Sequence, residues 1–308
     1  ISNWLVYFYQ PDQETISQGQ TVFVPQGLVV LGIVTVVGGI TAFARFFDAF
    51  VDPAVASLSD RCDAKSGRRM PFLKFAALPL AVVTVLVFWS PINGTSWVNA
   101  AFLFVTVIGY YIALTFYCTP YNALIAELGH DSKQQLTIST AISFTWVAGT
   151  AIAYVAPVIW GAFVPMMGRI TAIRVTFTIM AAVAFVCMLV PPLAIREKDY
   201  VNSQPTSEST IESLKQTFGD GEFRKFVCSD VVYWVAITTF QTGLPFFVTS
   251  LLKLPETTTT IYFVLMTGVS VLFYLPVNIL ANKVGKKRLL LVAFVIFTCA
   301  FAFAGALG

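Results

Sequence analysis

Residues Arg45–Leu73 read RFFDAFVDPAVASLSDRCDAKSGRRMPFL. The stretch begins inside an apolar run, carries two aspartates four residues apart, and ends in a cluster of basic residues. Asp48 and Asp52 lie about one helical turn apart, roughly 6 Å of rise, so they share one helix face. A carboxylate at membrane depth is expensive and usually faces a polar pathway rather than lipid. Two on one face repel each other unless a cation or a proton sits between them. The competing reading puts both at the cytoplasmic mouth of the helix, simply solvated. Pro53 has no N–H for the carbonyl of Ala49, and a bend at the aspartate pair is expected.

Outward from this stretch, composition points to a bilayer. The 308 residues are 57% hydrophobic, 15% aromatic and only 11% charged, where a soluble chain carries about a quarter charged residues. The apolar residues fall in blocks of about 20 or more, long enough to span. Spans are expected at about 26–57, 71–90, 97–125, 136–164, 171–195, 226–251, 258–282 and 288–307, with 1–9 as the outer end of a first helix. The net charge of +3 gives no footprint for a nucleic acid. Cysteines 62, 118, 187, 228 and 299 show no CxxC spacing and read as small buried hydrophobes. His130, beside Glu127 and Asp131, reads as solvated.

Charge sets the orientation. With the 59–74 loop on the cytoplasmic side, only Arg169, Arg174 and Lys253 of the 19 basic residues fall outside, in keeping with the positive-inside rule. The 10–25 segment has no Lys or Arg and reads as an external loop. Residues 281–288, ANKVGKKR, echo the 59–74 loop, a weak internal repeat of the kind two related halves produce. The expected organisation is a six-helix half over 1–195, a cytoplasmic linker over 196–225, and the first three helices of a second half over 226–308. The linker is expected to hold a surface-lying amphipathic helix, capped by Ser207, with Ile211, Leu214, Lys215 and Phe218 along one edge.

Arg45-Phe-Phe-Asp48-Ala-Phe-Val-Asp52-Pro53, Ser59-Asp60-Arg61 and Gly67-Arg68-Arg69-Met70-Pro71-Phe72 occur here in order, followed by Pro120-Tyr121-Asn122-Ala123-Leu124. Together they resemble the signature of the glycoside–pentoside–hexuronide:cation symporters. The resemblance implies an all-α, polytopic bundle of the major facilitator type. On its twelve-helix pattern, part of helix one and the last three helices are expected to lie outside this sequence, and the chain alone is expected not to transport.

In that family the aspartates and threonine matching Asp48, Asp52 and Thr115 are implicated in cation coupling. Read without the family, Thr115 is a hydroxyl bonded back to its own helix. Pro120 leaves the carbonyl of Phe116 without its helical donor, and freed carbonyls and hydroxyls are ligands a hard cation accepts beside carboxylates. The family's sugar-binding acid and tryptophan fall at Cys118 and Asn122, and its helix-five arginine is missing from the region of Ile142. Tyr121, Asn122, Trp146 and Gln241 are candidate substitute solute contacts, though taken singly each reads first as helix packing; Cys118 and Asn122 hold the matching positions. Arg45, Asp60, Arg61, Gly67, Arg68 and Arg69 read as a conformational or anchoring set.

No Gly-x-Ser-x-Gly and no phosphate-cradling glycine loop is present, so no enzyme is expected. The expected function is symport of a sugar, glycoside or similar polar solute with Na⁺ or H⁺. No cofactor is expected beyond the coupling ion. The implied partners are solute, cation and lipid bilayer, and the protein is expected to be a multi-pass monomer of the plasma or inner membrane. The alternatives are a cation-coupled carrier of a lipid or other non-sugar solute, and a non-transporting membrane sensor or scaffold.

Overall fold

The computed structural model describes residues 2–197, apart from 12, 18, 31–33, 65 and 130–131, together with 215 and 217–307. Two short helices come first, α1 (Ser2–Tyr9) and α2 (Gln13–Ser17), then a two-stranded antiparallel hairpin, β1 (Leu28–Val30) and β2 (Val34–Thr35). Long helices follow: α3 (Val36–Asp60), α4 (Met70–Leu86), α5 (Trp97–Leu128), α6 (Ser132–Met167) and α7 (Arg169–Ala194). Then come α8 (Gly221–Phe246), a π-helical turn (Phe247–Leu251), α9 (Glu256–Val284) and α10 (Lys286–Leu307).

Segments 97–125, 140–167, 169–194 and 221–249 are each long and apolar enough to cross a membrane. The helices over 70–86, 260–273 and 288–303 hold shorter apolar stretches. The chain is a multi-pass helical membrane protein, as its sequence leads one to expect. The helix bounds follow the expected spans closely, with one exception. The span expected from residue 26 begins only at Val36, because the β-branched run around Val29, Val30, Val34 and Thr35 pairs as a hairpin. Thr35 then caps α3, its hydroxyl accepting from the Gly38 N–H at 3.1 Å. The helix continues through Pro53. Of the amphipathic helix expected in the linker, Ser207, Ile211 and Leu214 lie outside the described residues, as does His130.

The bundle is built by α5 against α3 and α4, α4 against α7, α7 against α6, and α6 against α9. Lipid gives apolar helices no hydrophobic reason to prefer one neighbour over another, so polar contacts between helices carry much of the specificity. Two of these contacts use prolines. Pro157 offers no N–H to the carbonyl of Ala153, and the indole Nε1 of Trp4 donates to that oxygen at 3.0 Å. Pro192 likewise frees the carbonyl of Met188, which accepts from the Tyr117 hydroxyl at 2.8 Å.

The segment read as an external loop is pinned down. Phe23 is 1% exposed and packs on Phe8 and Tyr9. Gln20 donates to the Phe8 carbonyl at 3.1 Å, and Asn99, at the start of α5, donates to the Phe23 carbonyl at 3.0 Å. Tyr9, fully buried, donates its hydroxyl to the Val87 carbonyl at 2.7 Å. Arg174 closes this end from α7. Its guanidinium lies over Phe23 and Trp89 and donates to the Phe88 carbonyl at 3.1 Å.

Candidate functional site

α3 and α5 pack side by side, which brings the aspartate pair against the threonines of α5. Thr115 is 4% exposed and donates its hydroxyl to Asp48 Oδ1 at 2.5 Å. One turn further along both helices, Thr119 donates to Asp52 Oδ1 at 2.9 Å. The spacing of four residues on each helix therefore produces two parallel cross-helix bonds. The simpler reading of Thr115, a hydroxyl turned back on its own helix, does not hold. Thr119 went unnoticed in the sequence. Asp48 is half-buried and Asp52 exposed. Arg45, one turn before Asp48, is exposed and places its guanidinium 4.8 Å from the centre of the Tyr111 ring.

The basic loop forms a second centre at the end of α3. Arg69 is 5% exposed in its side chain and lies between two acids, Asp60 at 3.1 Å and Glu127 at 2.7 Å. The Glu127 contact to Nη1 is electrostatic, because its geometry does not make a hydrogen bond. Arg68 pairs with the same Glu127 at 3.1 Å. Arg61 caps α3 through its backbone N–H, which reaches the Ser57 and Ser59 carbonyls.

Glu197, which nothing in the sequence singled out, completes this centre. It is 2% exposed, and its Oε2 accepts from the Arg69 and Met70 N–H groups at 2.9 and 3.3 Å. It thereby satisfies the first turn of α4, where a negative charge is favoured. Gly67 makes room for it. Its φ is +114°, and a Cβ built there would lie 2.3 Å from Glu197 Oε2 and 2.6 Å from Glu197 Cβ. Gly67, Arg68, Arg69, Asp60, Glu127 and Glu197 thus lock the ends of α3, α4, α5 and α7 together.

The residues read as solute contacts are only partly gathered. Tyr121 and Trp146 line a cavity of about 720 Å³ among α5, α6 and α7, which Trp4 and Gln241 also line. Cys118 and Asn122 are not among its lining residues; Asn122 is exposed. Ile142 stands in the wall, where the family pattern leads one to look for an arginine. Among the described lining residues none carries a charge. Thr145 and Thr150 spend their hydroxyls on their own helix, donating to the Ala141 and Trp146 carbonyls.

Fold and site together define a class, a polytopic α-helical membrane protein with carboxylate–hydroxyl pairs bridging two of its helices. Residues 28–307 match the family described as MFS/sugar transport protein, and the chain belongs to that family, whose members are transporters rather than enzymes. It is 25% identical over 226 residues to the inner membrane symporter YicJ of Escherichia coli, covering 71% of this chain and 47% of that protein. It is 26% identical over 208 residues to the putative glycoside/cation symporter YagG of the same organism, covering 64% and 44%. The isoprimeverose transporter of Lactiplantibacillus pentosus matches at 28% identity over 124 residues, 40% of this chain and 26% of that protein. The resemblance drawn from the motifs at 45–72 is borne out by these relatives. The chain spans less than half the length of each of them.

Proposed function

We propose that this chain is part of a secondary carrier that moves a glycoside or similar polar solute together with a cation, and that the cation binds at Asp48, Asp52 and Thr115. The observation that carries the reading is the Thr115–Asp48 bond between α3 and α5. A threonine in an apolar helix ordinarily satisfies itself locally. One that reaches across to a carboxylate supplies a hydroxyl where a hard cation wants oxygen. Ion binding there draws two helices into one coordination shell, which is how an ion shifts the balance between carrier conformations. The 1–195 segment acts as one half of the carrier and 226–308 as the start of the other, the two rocking about the solute. The Arg69 centre holds the cytoplasmic end of the first half rigid during that movement.

The solute reading rests on the relatives, one of which is named for glycosides and another for isoprimeverose. The uncharged wall formed by the aromatic Tyr121 and Trp146 with the aliphatic Ile142 supports a second reading, an amphipathic non-sugar solute carried by the same coupling.

Transport by the full-length protein in proteoliposomes tests both. With an imposed ion gradient, Asp52→Asn and Asp48→Asn are each expected to abolish accumulation, while exchange of solute down its own gradient persists. Ion-driven accumulation retained in both variants would end this reading. A panel of aryl glycosides, free sugars and lysolipids then separates the two solute classes.

A further inference from the structure

We propose that Thr119 determines ion specificity, its hydroxyl completing with Thr115 an oxygen cage suited to an alkali cation. The inference rests on the ion site proposed above and extends it by one residue and one ion class.

α5 carries three threonines along its membrane stretch. Thr106 turns its hydroxyl back to the Phe102 and Leu103 carbonyls at 2.9 and 3.1 Å. Thr84 on α4 and Thr176 on α7 behave the same way, as hydroxyls in apolar helices usually do. Thr119 has a better local acceptor than any of these. Pro120 leaves the carbonyl of Phe116, three residues before Thr119, without a helical N–H. The Thr119 hydroxyl nevertheless crosses to Asp52 at 2.9 Å.

The crossing follows the rung set by Thr115 and Asp48. Two acids four apart on α3 face two hydroxyls four apart on α5, each acid receiving one hydroxyl. A hydroxyl that has donated its proton keeps lone pairs for a metal ion. A cation entering between the rungs therefore meets two carboxylates and two hydroxyl oxygens, a hard all-oxygen set. Capture of a proton needs one carboxylate oxygen and gains nothing from a second threonine. The second hydroxyl thus favours an alkali cation, sodium above all, over a proton.

Binding of radiosodium to the purified full-length protein tests this without knowledge of the solute. Thr119→Val keeps the shape and removes the hydroxyl. It is expected to raise the half-saturating sodium concentration about tenfold, the order of one oxygen contact to a charged group. It is also expected to change the ratio at which lithium displaces sodium, whereas Thr119→Ser keeps both values at wild type. Should the valine variant not reach the membrane, Thr119→Ala removes the same hydroxyl with less bulk and is read in the same way. Unchanged affinity in the variant, or a loss that leaves the lithium-to-sodium ratio untouched, overturns the role of Thr119. The site reading is tested separately in the same assay. If Asp48→Asn and Asp52→Asn still bind radiosodium as wild type does, the site itself is wrong. If they lose binding while Thr119→Val keeps it, only the present inference falls. A wild-type protein that binds no radiosodium also overturns it.

Discussion

Gly67→Ala is a sharp test of the basic-loop geometry. The backbone there has φ +114°, a region that costs an alanine about 1–3 kcal/mol. Space adds a second penalty, because the new methyl would sit 2.6 Å from Glu197 Cβ as well as 2.3 Å from Oε2. Swinging the end of the glutamate aside does not relieve a clash with its Cβ, so the whole residue must move. Displacing it unmakes its bonds to the Arg69 and Met70 N–H groups. A hydrogen bond to a charged group is worth about 1.5–3 kcal/mol, so the combined loss is at least about 3 kcal/mol. Thermal unfolding of the detergent-purified full-length protein reads this. Glu197→Gln, which keeps the shape and a carbonyl acceptor, is expected to lose clearly less than Gly67→Ala. If Gly67→Ala unfolds within about 1 kcal/mol of wild type, the clasp between the 61–69 loop and Glu197 does not exist as described.

Other outcomes follow from the same geometry. Asp60→Asn, which weakens the Asp60–Arg69 pair, is expected to slow transport while leaving the driving ion unchanged; a switch of ion would place Asp60 in the coupling site. In intact cells, a membrane-impermeant thiol reagent is expected to label Gln13→Cys and Ser17→Cys, both exposed, but not Gln20→Cys, which is buried. The same reagent should reach Cys62 only after permeabilisation, and labelling of Cys62 from outside would invert the topology. Trp4→Phe is expected to cost about 1–3 kcal/mol by stranding the Ala153 carbonyl. Adding Pro157→Ala restores a helical N–H and should recover part of that loss, so a double-mutant cycle without coupling would refute the pairing.

Much of the fold was legible because lipid imposes simple rules. Apolar blocks of spanning length and a one-sided distribution of Lys and Arg locate most of the helices. The start of α3 was not, since a run such as Leu28-Val29-Val30 is as apolar as a membrane helix, and only pairing with Val34 and Thr35 separates the two. Thr35, a residue type that favours the N-cap, was a local sign of the later start. At the site, Asp48, Asp52 and Thr115 could be read because their motif is distinctive. Thr119 could not, because a threonine before a proline looks like any self-satisfied hydroxyl until α3 is seen alongside. Glu197 was hidden for a similar reason. In Arg196-Glu197-Lys198-Asp199 it looks like one solvated charge among four, and its burial depends on a loop some 128 residues earlier.

The prolines of α6 and α7 bear on how such a chain finds its own neighbours. A greasy helix among greasy helices carries almost no address, and side-chain shape alone discriminates weakly between candidate partners. Pro157 and Pro192 each open a vacancy on a helix backbone at a defined height, and Trp4 and Tyr117 are the side chains that fill them. The proline is then less a flaw in its own helix than a message to another one, specifying which helix should dock, at what depth and in what rotation. Related chains should consequently gain or lose the proline and its aromatic together, since either one alone leaves a polar group stranded in oil.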